Sequence, residues 1–187
     1  FGDAVKGLAQ ARKAADGVGT TFWMSPAGNF AKYNRGDAGA SEIKATSYGV
    51  AGGFDFAYAD DGSFGLGMAY GEHDVKAQGT PEKAKASTIT IGAYWTQKFG
   101  NLAAEARFAY GFSNFTANRE LASLARATSA DFKGSQVDAS VELGYELNTG
   151  SVDVTPFAKL ALRRWSFDGF TEEGAQSVGL KVAEDNK

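Results

Sequence analysis

Few residues in this chain could carry out a reaction. It has one histidine, His73, no cysteine, and 24 glycines among 187 residues. A serine beside that histidine would make a hydrolase, the imidazole drawing the proton from the hydroxyl nucleophile. No Gly-x-Ser-x-Gly turn occurs and no serine is tied to His73 by spacing, so His73 reads as an imidazole where a strand runs into a loop. The absence of cysteine removes both a thiolate metal site and a disulfide framework. Asp60 and Asp61 lie in a turn and serve its backbone. Glu142 and Glu146 share one strand face and have acid/base chemistry, but a hydrated wall accounts for them as well. Gly65-Leu66-Gly67 lacks the helix that would follow a phosphate loop. Arg35-Gly36-Asp37 has the composition of an integrin-binding tripeptide and reads as a turn in a polar loop. No catalytic residue, metal ligand or cofactor is assigned.

What these residues sit on is more informative. From Ser47 to Tyr70, Tyr48, Val50, Phe54, Phe56 and Tyr58 alternate with Gly49, Ala51, Gly53, Asp55 and Ala57. After Ala59-Asp60-Asp61-Gly62 the alternation resumes with Phe64, Leu66, Met68 and Tyr70 against Gly65, Gly67 and Ala69. Period-2 alternation around a glycine-containing connector is a β-hairpin. Its polar side is made of small residues, as though leaving room. A membrane barrel has that need, since lipid takes the bulky face and the lumen takes the other.

The same pattern recurs over Ser87–Phe99, Leu102–Phe112, Val137–Leu147 and Val152–Leu162, with an aromatic first strand over Thr20–Tyr33. Tight turns at Gly100-Asn101 and Asn148-Ser151 alternate with long polar segments over 34–46, 72–86 and 114–134, read as loops. A weak alternation of Val178, Leu180 and Val182 stops at Glu184-Asp185-Asn186-Lys187. Short turns on one side and long loops on the other are the habit of outer-membrane barrels.

Charge parity agrees. The apolar register of the alternating strands carries no charge, and the opposite register carries Asp55, Glu105, Arg107, Asp138, Glu142, Glu146, Asp153 and Lys159. A basic group facing lipid at mid-bilayer would cost about 2–4 kcal/mol. These eight residues are therefore expected to face a lumen, and Ile91, Phe108, Val141 and Leu160 to face lipid. The predicted fold is all-β: a transmembrane antiparallel up-and-down β-barrel. No run of about 18 apolar residues occurs, so no transmembrane helix is expected. The net charge of −3 gives no sign of a nucleic-acid partner.

Residues 154–172 carry a resemblance. The Thr155-Pro156-Phe157-Ala158 opening and the Gly169-Phe170-Thr171-Glu172 close resemble a segment of autotransporter (type V secretion) β-domains. The Gly52–Phe56 step, the Leu66–Gly71 run, the Glu142–Tyr145 step and Trp23 follow in the same order, covering residues 18 to 182 or so. The resemblance implies a barrel of about twelve strands in the outer membrane of a Gram-negative bacterium. It also implies a helix in the pore, a secreted passenger, and assembly with periplasmic chaperones and the barrel-assembly machinery.

Residues 1–17 are then a linker helix, probed by Lys6, Arg12 and Lys13, facing a lumen-facing set that holds six acids and two bases. Residues 18–187 are the barrel domain, incomplete because seven strands cannot close and an open edge in lipid leaves backbone groups unpaired. The expected function is a translocator that anchors and helps export its passenger. Its rivals are an outer-membrane hydrolase and a small structural or adhesive barrel.

Overall fold

A computed structural model describes residues 19–33, 43–59, 61–77, 82–121, 126–148, 150, 152–174 and 179–186. The helix expected over residues 1–17, with Lys6, Arg12 and Lys13, lies outside them, as do Asp60 and the Arg35-Gly36-Asp37 tripeptide. Six long strands come first: β1 (Gly19–Tyr33), β2 (Ile43–Ala59), β3 (Gly62–Ala77), β4 (Lys83–Phe99), β5 (Leu102–Leu121) and β6 (Arg126–Tyr145). A two-residue ladder, β7 (Leu147–Asn148) with β8 (Asp153–Val154), closes the next turn before β9 (Phe157–Phe167). Beyond it, β10 (Phe170–Thr171) pairs with β11 (Lys181–Val182), and β12 (Asp185–Asn186) returns to β9. The main sheet runs β1-β2-β3-β4-β5-β6-β9-β12 with every neighbour antiparallel. Each strand thus pairs with the one before it, an up-and-down order whose described edges are β1 and β12.

The sheet has an inverted division of residue types. Its bulkiest apolar side chains are its most exposed: Leu160 is 78% exposed and Met68 60%, while Asp55 on the opposite face is 5%. Ile91, Phe108, Val141 and Leu160 all lie on this exposed apolar face. A sheet packed against a core in water would bury them. The register explains the sorting, since directly opposed residues share a face. Phe22, Phe54, Leu66, Ala93, Phe108, Ala139 and Leu162 form one row across seven strands. The adjacent row is Trp23, Gly53, Gly67, Gly92, Ala109, Asp138 and Arg163.

Three expectations are corrected. Within the described residues, the segments read as loops over 34–46, 72–86 and 114–134 are strand apart from Glu82: β2 begins at Ile43, β3 continues to Ala77, β4 begins at Lys83, and β5 and β6 are each 20 residues long. A spanning strand needs only about 9–11 residues. Above that height both faces meet water, so nothing enforces alternation although the backbone ladder continues. Second, β9 runs on to Phe167, past Leu162, and places Arg163 on the polar face and Arg164 on the apolar one, opposite Val137. Third, Asp153, expected on the lumen-facing register of a long strand, falls in the two-residue β8, outside the main sheet.

Candidate functional site

The polar face is where chemistry would have to occur. Its centre is a run of contacts across strands. Asp55 of β2 accepts a hydrogen bond from the Tyr94 hydroxyl of β4 at 3.0 Å, although β3 lies between them. The tyrosine reaches over Gly65: a Cβ there would stand 2.1 Å from the Tyr94 Cζ. So Gly65 serves close approach, as glycine in a strand interior commonly does. Trp23 lies similarly over Gly53, whose added Cβ would meet its Cζ2 at 3.1 Å. Both rings are buried.

Toward β9 the face becomes ionic. Glu105 and Glu142 stand directly opposite each other, a repulsive placement by itself. Arg107 pairs with Glu105, and Lys159 reaches Glu142 at 3.3 Å. Arg163 pairs with Asp138, and Lys98 reaches Glu146 at 2.5 Å. The bases Lys98 and Arg163 were missing from the sequence reading, one near a turn and the other beyond the expected strand end. With them the face is close to neutral, so the excess of acids inferred from sequence does not hold. Ionic pairs of this kind hold a hydrated wall together and leave Glu142 and Glu146 bound to cations rather than to each other.

His73 does acquire a serine: its Nδ1 lies 2.9 Å from the Ser47 Oγ across the β2–β3 ladder. Register alone makes this pair, which is why spacing in the sequence hid it. A nucleophile–base pair needs a third group to orient the ring and donors for an oxyanion. In this row Asn29 lies beyond Ser47 and Ala86 beyond His73, and the surrounding backbone is committed to the ladder. The pair is a cross-strand polar contact. Gly65-Leu66-Gly67 is strand interior in β3.

On the other face, aromatic residues gather at two heights. Tyr58 accepts from the Trp95 indole at 2.8 Å and donates to Gln97, with Phe99 and Tyr145 nearby in register. At the second height Tyr48 and Tyr70 both donate to Glu72, the latter at 2.8 Å. Tyr48 and Tyr58 are ten residues apart on β2, about 33 Å along a strand and about 25 Å at a tilt of about 40°. That equals the apolar band of an outer-membrane barrel, which is flanked by aromatic girdles.

Above the second girdle the Gly169–Glu172 motif gains a physical role. Phe170 stacks on Phe132 at 4.6 Å, and Phe132 on Phe115 at 4.9 Å. Glu172 accepts from Arg119 at 2.6 Å and from the Leu180 amide at 3.1 Å. The Arg119 guanidinium holds its carboxyl below the usual glutamate range, outweighing burial. At the other end of β9, Pro156 precedes the first ladder residue, a position proline tolerates, and its carbonyl accepts from the Tyr145 amide at 3.0 Å.

The comparisons with known proteins point one way. The family model described as Autotransporter beta-domain matches residues 22–187. An extracellular serine protease of Serratia marcescens is 27% identical over 158 residues, covering 83% of this chain and 15% of that protein. A second extracellular serine protease of Serratia marcescens is 24% identical over 145 residues, covering 76% of this chain and 14% of its own length. The chain thus spans about one seventh of these relatives. Among solved structures, the translocator domain of autotransporter NalP from Neisseria meningitidis superposes with a TM-score of 0.76 at 16% identity, over 100% of this chain and 63% of that one. At that identity the likeness concerns the fold.

Proposed function

This chain belongs to the autotransporter β-domain family, outer-membrane translocator barrels, and from that premise we infer how its two faces divide the work. The apolar face, with Ile91, Phe108, Val141 and Leu160, meets lipid. The polar face, with Asp55, Glu105, Arg107, Asp138, Glu142, Glu146 and Lys159, lines the lumen beside which a passenger is exported. The observation that carries this reading is the inverted sheet, with bulky apolar residues outward between two aromatic girdles. No soluble packing accounts for an apolar surface of that size.

In the full protein this sheet is part of a barrel of about twelve strands. The 1–17 segment lies in the lumen as the end of the passenger. Small residues support that placement: Gly53, Gly67, Gly92 and Ala109 form a continuous low strip on the polar face. Attraction between Lys6, Arg12 and Lys13 and an acidic wall no longer supports it, because the acids have cations of their own. The barrel supplies anchorage and conduit, while any reaction belongs to the passenger, as the names of the Serratia relatives suggest. Periplasmic chaperones and the barrel-assembly machinery complete the set of partners.

The test is spin-label accessibility in the full protein folded in lipid. Labels at Ile91, Phe108, Val141 and Leu160 are expected to be relaxed by oxygen dissolved in the bilayer. Labels at Glu105, Arg107, Glu142 and Lys159 are expected to respond to a water-soluble nickel chelate. Equal response of the two sets would end the reading. For the helix, a cysteine at Ala9 is expected to cross-link to one at Arg107 and not to one at Phe108.

A further inference from the structure

The extension above the upper girdle holds an arrangement that folding does not call for. Lys32, Lys44, Lys76 and Lys83 stand directly opposite one another on β1, β2, β3 and β4, in a single row. All four are exposed and share the apolar face's parity with Tyr48 and Tyr70. Like charges directly opposed across an antiparallel pair are destabilising, and here the placement is repeated at three consecutive strand pairs. Lys76 has a 3.4 Å contact to Asp74 of its own strand. Counting Lys85, the described residues of β1–β4 on this surface above the girdle include five lysines and two carboxylates, Glu72 and Asp74, in a chain whose net charge is −3.

The row also has a definite height. On β1 Lys32 comes two residues after Phe30, on β2 Lys44 four residues above Tyr48, and on β4 Lys83 six residues above Ile89. With about 3.3 Å per residue and a tilt of about 40°, the lysines climb from about 5 Å to about 15 Å above the rim of the apolar band. A phosphodiester at acyl-chain level would meet only the foot of this slope. Phosphates carried on a tall saccharide headgroup would meet its whole length.

We propose that this row binds the phosphorylated saccharide headgroup of a glycolipid in the outer leaflet, several ammonium groups sharing phosphates at different depths. The proposal rests on the assignment of the apolar face to lipid, which sets the row beside the leaflet. Lysine stems can lie along neighbouring surface while the charged ends meet phosphate. Attraction of a cluster of basic groups to an anionic leaflet grows with each added charge and falls with salt.

The experiment uses the full protein folded into phosphatidylcholine vesicles. These are doped with a glycolipid phosphorylated on its core sugars, with the same lipid dephosphorylated, or with phosphatidylglycerol. Bound lipid is measured from the motionally restricted fraction of a spin-labelled analogue. The parent is expected to prefer the phosphorylated glycolipid to either alternative by more than about tenfold. Replacing all four residues (K32Q, K44Q, K76Q and K83Q) is expected to abolish the preference without loss of folding, since it removes repulsion, and four arginines are expected to keep it. Equal retention by the glutamine variant, or equal retention of phosphatidylglycerol by the parent, would overturn the proposal. So would full displacement by a soluble sulfated polysaccharide, which would assign the row to that class of ligand. A lipid-quenched probe at Ile91 separates the two levels. Quenching with no lysine effect refutes the row alone, and absence of quenching refutes the assignment of the faces.

Discussion

The lower and upper halves of these strands share one hydrogen-bonded ladder but obey different rules. Between the girdles, every outward position on β2 except Gly52 is bulky and apolar, and the inward positions from Gly49 to Ala57 are small or, at Asp55, tyrosine-bound. Above the girdles the same face carries Thr46, Asp74, Lys85, Thr116 and Asp131 in one row, and the alternation is gone. The comparison teaches that alternation reports the solvent on each face, whereas the ladder reports only that two backbones are paired. A membrane strand can therefore continue for a full extra half without any period-2 signal.

The sharpest way to break this distinction is to place the same charge on the same face at the two heights. Leu160→Arg, between the girdles, is expected to cost about 2–4 kcal/mol in equilibrium unfolding from lipid vesicles. Thr46→Arg, above them and opposite Asp74, is expected to change stability by less than about 0.5 kcal/mol. Similar costs at both sites would mean that the two halves meet the same solvent.

Glycines make a second pair. Gly65→Ala puts a methyl into the Tyr94 ring and is expected to destabilise by about 1–3 kcal/mol, with part of the loss recovered by Tyr94→Ala. At Gly71, near the rim, an added Cβ would meet its nearest neighbour, the His73 ring, at an ordinary 3.6 Å. Gly71→Ala is expected to be neutral or to stabilise by up to about 1 kcal/mol. A large loss at Gly71 would show that close packing extends above the band.

A titration sharpens the upper half alone. The folded Glu172 carboxyl lies below its ordinary value, so its contribution is present above the unfolded glutamate range and is lost as pH falls through the folded value. A fluorophenylalanine at Phe170 is expected to keep one fluorine shift down to the unfolded glutamate range. Below it, the shift is expected to move as the contact to Arg119 is lost, while Glu172→Gln shows the moved shift already at neutral pH. No movement would detach the Phe170 stack from that ion pair. A modest effect is expected at Ser47→Ala, about 0.5–1.5 kcal/mol from one lost hydrogen bond to His73, with ester hydrolysis unchanged.

This difference between halves also explains what could be read from the sequence. The placement of Ile91, Phe108, Val141 and Leu160 on one exposed apolar face was legible because charge is kept off that face and the register repeats the exclusion strand after strand. The upper ladder was not, since Glu72–Ala86 has loop composition and its pairing depends on the hairpin below it. Tyr94 over Gly65 to Asp55, and Ser47 beside His73, were hidden for another reason. They join residues 39 and 26 positions apart, and only the register brings them together. Arg163 and Lys98 were overlooked because they lie where alternation fades, just past a strand end and just before a turn. The Gly169–Glu172 motif was visible as a family mark, but its roles in stacking and ion pairing come from Phe132 and Arg119 on other strands.

The order of the sheet has a mechanical consequence. From β1 through β6 and β9 to β12, every strand is held sideways by its chain neighbours, in a quasi-one-dimensional array. A pulling force on one strand, such as β2, would therefore load its two flanking ladders first and leave the rest unstrained until one of them failed. The sheet would come apart strand by strand, in steps set by the ladder lengths and ordered by the sequence itself.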